Sequence, residues 1–275
     1  MTRSVSLVGA GSIPTPTVYA FPHLEQSDPN GRLYAGHQAV HDFATAVETA
    51  DSFALTDEVA NLVDGGDPAV CSGIFGAGQT AAKGLKFTTG TSGEVFDLPD
   101  VFDLLNLGSE PSFVLALWVK QLAYDDATAT RGVAGYARFT TTYCQWSLST
   151  RYSTGNYTRF RIGRVNSDKG HDYGPLTLNT ATLLTVVVRR TGSGTYTAQF
   201  LKGANIVAEY SGTYPFVNPL DDGTATTPRI GAPSGYNADL SVVVHKANLF
   251  RIDPDNFDAE YWATQDIALN YDRFA

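Results

Sequence analysis

A chain of 275 residues with 43% apolar content is long enough to bury one large sandwich or two small domains. Its formal charge of −9 excludes general attraction to nucleic acid, which needs clustered Lys and Arg on phosphate, and no apolar run reaches the roughly 18 residues that cross a bilayer. The 26 Gly, 13 Pro, 14 Tyr and 15 Phe, against a single Met, suit short strands joined by tight turns, so an all-β chain is the starting expectation.

Two cysteines, Cys71 and Cys144, cannot staple a fold of this size and read as reduced, with one optional disulfide as the alternative. The first eleven residues are too short and too mixed for a secretory apolar region, which predicts a chain that is not exported by a cleaved signal.

In chain order, Met1 to Leu33 carries Pro14, Pro16, Pro22 and Pro29 among Gly, Ser and Thr, a spacing that forbids helix and central strand and predicts an extended arm. From Gly36 to Ala50, Val40, Phe43 and Val47 recur at the helical period and predict one short helix. The turn chemistry of Asn61 to Pro68 then predicts a boundary near Asp67, giving an assembly segment over residues 1–66 and a sandwich over 67–275.

Beyond that boundary the pattern becomes alternating. Ser112 to Lys120 is apolar on both faces, which predicts a central strand covered once by the facing sheet and once by another segment or subunit. Tyr143 to Ser149 sets Cys144, Trp146 and Leu148 against Gln145 and Ser147, predicting a strand with one wet side. Leu183 to Arg190 and Thr195 to Leu201 flank the turn from Thr191 to Gly194, a hairpin whose inward set is Leu184, Val186, Val188, Tyr196, Ala198 and Phe200. Gly203 to Asn205 turns the chain again, and Asp239 to Ile252 is a late strand with Leu240, Val242 and Val244 alternating against Ser241, Val243 and His245. Asp253 before Pro254 reads as a helix start, Phe257 and Tyr261 as its apolar stripe, and Tyr271 to Phe274 as an aromatic tail.

The order of these elements resembles the concanavalin A-like lectins and glucanases in their laminin G-like form. The resemblance runs from Phe75 to Ile252. It is carried by Phe113 to Lys120, by Trp146 and Leu148, by the Tyr-x-Ala-x-Phe-Leu-x-Gly string from Tyr196 to Gly203, and by Arg229 to Gly231 leading to the last core strand. It implies an all-β antiparallel jelly-roll sandwich, here with an extended N-terminal arm and a short helix near each end. Where the family carries Gly-x-Ile-Asp-Asp, this chain has Asp239-Leu-Ser-Val-Val-Val, so calcium is suggested by resemblance only and no cofactor is expected. The stretch Ala60 to Ala69 also resembles the opening of jelly rolls in bacteriophage virion proteins.

Catalytic patterns fail one by one. Glycan-cleaving relatives place their carboxylates on alternate positions of one strand, whereas Glu94, Asp97, Asp100 and Asp103 recur every third residue in a Pro-interrupted stretch and read as a solvated loop. No Gly-x-Ser-x-Gly elbow exists, and Gly73 to Lys83 lacks the Gly-Lys-Ser/Thr that completes a phosphate loop. His37 and His41, at i and i+4 on the expected helix with Asp42 beside them, are two exposed histidines or a structural or intersubunit metal site; Gln38 stands where a zinc protease needs its Glu.

Against the acidic background, Arg151, Tyr152, Tyr157, Arg159, Arg161 and Arg164 lie close together in sequence. With Phe160 and Ile162 pointing inward, Arg159 and Arg161 share the outward face. Guanidinium groups and Tyr rings there can grip carboxylate, sugar or an acidic subunit, the alternative being a solvated face balanced by local acids. The expectation is a non-enzymatic virion structural protein of a bacteriophage, partnered by other virion proteins and copies of itself, with the arm lying along neighbouring subunits. The sandwich would be displayed for a host-surface glycan, with no nucleic acid and no membrane insertion. A free-standing lectin, its site shaped by the loops at residues 125–130, 166–173 and 220–226, is the second reading; a glycan depolymerase is the third.

Overall fold

The computed structural model describes residues 37–87, 93–108, 111–124, 130–137, 144–152, 156–163, 169–213, 227–231 and 241–275. In chain order the strands are β1 (His37–Asp42), β2 (Glu58–Val59), β3 (Ala69–Cys71), β4 (Leu85–Lys86), β5 (Phe96–Asp97), β6 (Phe113–Gln121), β7 (Thr130–Ala137) and β8 (Cys144–Tyr152). They continue with β9 (Asn156–Ile162), β10 (Lys169–Asp172), β11 (Ala181–Gly192), β12 (Thr195–Lys202), β13 (Asn205–Thr213), β14 (Arg229–Ile230) and β15 (Val242–Arg251). Among the described residues the helices are α1 (Phe43–Ala46), α2 (Gln79–Ala82) and α3 (Ala259–Phe274), with two 3-10 turns between Asp100 and Leu107.

Two sheets face each other. One runs β1-β15-β6-β11-β12-β13, with β4 also on β15; the other runs β10-β9-β8-β7-β14-β5-β3-β2, and the pairings are antiparallel throughout. Between them lies the main core, in which Leu115, Leu117, Leu184, Val186, Phe200, Val244 and Leu249 meet Trp146, Leu148, Phe160, Ile162 and Phe96. All six inward residues expected of the β11–β12 hairpin belong to it. Gly203 turns the chain from β12 into β13 at φ 61°, a left-handed position that favours glycine in a two-residue hairpin.

The doubly apolar strand is central as expected, between β15 and β11, and its second cover is α3. Val114, Ala116 and Trp118 turn away from the main core and pack with Leu183, Val187 and Phe250 against Ala259, Trp262, Ala263 and Phe274. Burying a side chain such as Trp262 stabilises by about 1.5–3 kcal/mol or more, which is what seats the helix. Polar groups then fix its register. Lys246 and Asp266 meet at 3.1 Å, Trp118 donates its indole N–H to Asp266, and Asn270 donates to the same carboxylate. At the last turn, Arg273 reaches Asp42 at 2.9 Å and Thr45.

Several expectations are corrected. Residues 36–50 are not one helix: His37 to Asp42 form β1, and only the single turn of α1 follows, capped by Asp42 accepting from the Thr45 N–H. The spacing of Val40, Phe43 and Val47 imitated a helix because it straddles a strand and a helical turn. Nor is the sandwich bounded near Asp67, since β1 pairs with β15 and Ala39, Phe43, Val47, Phe53 and Val59 are core residues. The stretch from His37 onward is therefore part of the sandwich, while the Pro-rich arm lies outside the described residues. Helix α3 starts at Ala259, capped by Asp258 accepting from the Tyr261 N–H, because Asp253 instead closes a turn onto Asp255 and Asn256. Tyr261 is exposed, and Tyr271 to Phe274 form the last helical turn rather than a tail. Both cysteines are buried thiols rather than partners in a disulfide.

Candidate functional site

Alternation on β8 and β9 decides which side chains leave the core. Trp146, Leu148, Phe160 and Ile162 point inward and are fully buried, so their neighbours Ser147, Ser149, Arg159 and Arg161 take the outer face of the eight-stranded sheet. Across the ladder Ser147 pairs with Arg161, Ser149 with Arg159, and Arg151 with Tyr157. On β10, Gly170 pairs with Arg161 and Asp172 with Arg159, and the Arg159 guanidinium lies 3.7 Å from the Asp172 carboxylate. Arg159, Arg161 and Tyr157 are half-buried, so each keeps a face toward solvent while its stem lies on the sheet.

The expected wet side of β8 is not wet. Gln145 is buried because it accepts from the Leu104 N–H and donates to Asp103, and Ser147 and Ser149 are buried beside the long stems of Arg161 and Arg159. Short polar side chains thus lie beneath a layer of guanidinium groups.

A residue that the sequence did not single out joins this face. The row containing Gly170, Arg161 and Ser147 continues through Gly135 to Arg229 on β14 and Asp97 on β5. Arg229 pairs with Asp97 at 3.3 Å, and Thr227 donates to the same carboxylate. The one signal available was the Arg-Ile-Gly string, which marked a strand but not its place between β7 and β5.

Of the six residues of the arginine–tyrosine cluster, Tyr157, Arg159 and Arg161 share this face. Arg151 and Tyr152 occupy the last two positions of β8, their side chains outside the described residues, and Arg164 lies outside them altogether. At its edge stands His171, whose imidazole burial pulls below its ordinary range, with Asp172 partly restoring it and Arg159 lowering it further. That ring packs inward on Tyr173 and Phe200.

His37 and His41 lose the geometry that suggested a metal, because on a strand they stand about 13 Å apart at roughly 3.3 Å per residue. His41 faces the core beside Phe43 and Phe102, and its two ring nitrogens are buried without a hydrogen bond. Burial lowers its pKa to about 4, against an opposing effect of the Val59 and Ala60 backbone. Among the described residues no three His, Cys, Asp or Glu side chains cluster as metal ligands. Asp239 lies outside the described residues. The glycine-rich stretch before Lys83 also has its anion place taken, since Asp51 accepts from the Gly78 and Thr80 N–H groups, which lower its pKa.

No protein-family profile matches the chain, and no curated protein matches it. Among solved structures it is similar to the Trypanosoma rangeli sialidase, at 16% identity and TM-score 0.52, over 96% of this chain and 37% of that one. It is also similar to a mutant of HCR D/C VPI 5995, at 9% identity and TM-score 0.50, over 86% of this chain and 53% of that one. Botulinum neurotoxin type C follows at 9% and 0.49, over 86% and 52%. The likeness is one of fold, an antiparallel β-sandwich. This chain spans about half the length of the toxin structures and about a third of the sialidase.

Proposed function

We propose that the protein is a carbohydrate-binding module that binds rather than catalyses, with its site on the outer face of β8, β9 and β10. The observation that carries this reading is the shared outward position of Arg159, Arg161 and Tyr157 in a chain of net charge −9. A guanidinium fork donates two parallel hydrogen bonds to a carboxylate or to a pair of sugar hydroxyl oxygens, and a tyrosine ring offers its face to the apolar side of a pyranose. Asp172, beside Arg159, holds that fork in place and accepts a sugar hydroxyl in turn.

The sandwich likeness to a sialidase recorded with a nonulosonic acid analogue supports an acidic sugar as the first ligand to try, although the site of that sugar is not carried over. Glycan arrays followed by calorimetry on the full chain test the reading. Binding to carboxylated glycans that is lost in Arg159→Ala/Arg161→Ala supports it, and equal binding by the variant removes this face from consideration.

The finer proposal is display on a bacteriophage particle, alongside other virion proteins. It rests on the Pro-rich sequence of residues 1–36, which suits an arm laid along neighbouring subunits. Binding of the full chain, but not of a chain lacking these residues, to purified particles depleted of the protein is the expected result.

A further inference from the structure

Helix α3 contributes nothing to the core between the sheets; it packs on the outer face of the seven-stranded sheet alone. It adds no strand, so lifting it leaves both sheets paired. On that outer face Asn248 and Thr185 are buried with side-chain polar atoms that make no hydrogen bond, a cost that opening to water removes.

One histidine sits where the end of the helix meets the sheet. His245 is the extra residue of a bulge in β15, between the Val244–Val119 and Lys246–Trp118 pairs, and a bulge re-aims its side chain out of the regular alternation. The ring lies flat on Phe274, centroids 4.8 Å apart and planes 7° from parallel. Its seat is tight: a Cβ on Gly84 would stand 3.0 Å from Nδ1 and 2.7 Å from the Val244 carbonyl oxygen. Nδ1 lies 2.5 Å from the Lys83 main-chain carbonyl, which only accepts, so the neutral ring carries its proton there. A second proton must go to Nε2, which is buried without a hydrogen-bond partner.

The charged groups about the ring are Lys83, Lys120 of β6, Arg273 of α3 and Lys246 of its own strand, against Asp42 of β1 and Asp266 of α3. Both carboxylates are engaged, Asp42 by Arg273 and Asp266 by Lys246, and the Arg273 guanidinium already lies 5.1 Å from the centre of the Phe274 ring. Among the described residues, a cation on His245 gains more repulsion than attraction.

We propose that His245 is an acid latch on α3: when its ring takes a second proton the helix leaves the sheet, the sandwich stays folded, and the apolar face around Trp118, Leu183, Val187 and Phe250 is uncovered. The latch is independent of the arginine face, which belongs to the other sheet. Closed, burial holds the ring at about 4; released into water it regains about 6.5. Above pH 6.5 it is neutral in both states. Between 6.5 and 4 only the open state takes the proton, so opening gains up to about tenfold per pH unit, roughly 60-fold from pH 7 to 4.5.

Hydrogen exchange read by mass spectrometry on the full chain, corrected for the intrinsic rate at each pH, tests this. A 16-residue helix off its sheet is marginal in water, so release shows as exchange of its amides. At pH 4.5 peptides from Ala259 to Phe274 should be protected at least about tenfold less than those from Ala181 to Lys202. Helix protection should fall roughly 60-fold from pH 7 to 4.5, and His245→Phe should cancel that fall. Equal protection of the helix and the β11–β12 hairpin at pH 4.5 would mean that the chain opens only as a whole, and overturns the proposal. So does helix protection that stays constant with pH, or that falls equally in His245→Phe.

Discussion

The Lys246 ammonium and the Asp266 carboxylate meet at 3.1 Å, both side chains shut off from solvent, one on the sheet and one on the helix that covers it. Desolvating two charges is costly, so the pair contributes less to stability than to register. Removing one partner is another matter, because the remaining charge stays buried. Asp266→Ala should lose about 3–5 kcal/mol in denaturant unfolding. Lys246→Met/Asp266→Leu should recover most of that loss, although Trp118 then lacks an acceptor; Asn270 keeps the main-chain carbonyl of residue 266 at 2.8 Å. A single variant as stable as the parent would mean that α3 lifts to let the ammonium reach water.

Acid should destabilise the fold through its buried histidines. Burial holds His41 and His245 at about 4, for His245 against a small opposing effect of the Lys83 carbonyl; His245 also stacks on Phe274. Above pH 6.5 both rings are neutral in folded and unfolded chains and impose no penalty. Between 6.5 and 4 the unfolded chain takes up protons that the folded one refuses, so stability falls as pH falls, by at most about 3 kcal/mol per ring. Melting temperature measured from pH 7.5 to 4 should decline steadily, and His245→Phe, which keeps the stacking, should flatten the decline. An unchanged slope in that variant would assign the acid sensitivity elsewhere.

Gly73 is a packing requirement. A Cβ there would stand 1.5 Å from the Gly93 carbonyl oxygen, which is backbone and cannot swing away, whereas a Cβ on Gly76 meets nothing within 4 Å. Gly73→Ala should therefore cost about 3 kcal/mol, and Gly76→Ala almost nothing. Paired urea melts give the comparison directly.

Replacing Arg159 and Arg161 by Ala should weaken glycan binding about 10- to 100-fold, the worth of one or two hydrogen bonds from a charged donor. Stability should change by under about 1 kcal/mol, because the Arg159–Asp172 pair is partly solvated. Calorimetry and thermal melting on one preparation separate the two effects.

Most of the sandwich could be read from alternation. The β11–β12 hairpin and the outward direction of Arg159 and Arg161 follow from a period of two, which a buried inner face imposes on the residues, while the twice-covered β6 shows as an unbroken apolar run. What escaped was structure whose cause lies far away in sequence. Strand β1 does not alternate, since Ala39, Val40, His41 and Asp42 are all buried, so its residues imitated a helix instead. Ser147 looked like a wetted residue, yet its surroundings are set by Arg161 on the next strand. Arg229 and Asp97 reach the outer face through two-residue strands too short to show any period.

Strand β1 finds its partner about two hundred residues later, where His41 faces Ala247, and Asp42 is held by Arg273 later still. A ribosome emitting this chain therefore cannot complete the sandwich piecemeal: the early strand must wait, unpaired, until β15 and α3 have emerged. Folding is committed late, and chains released early would leave the apolar face of β6 exposed, prey for chaperones or proteases.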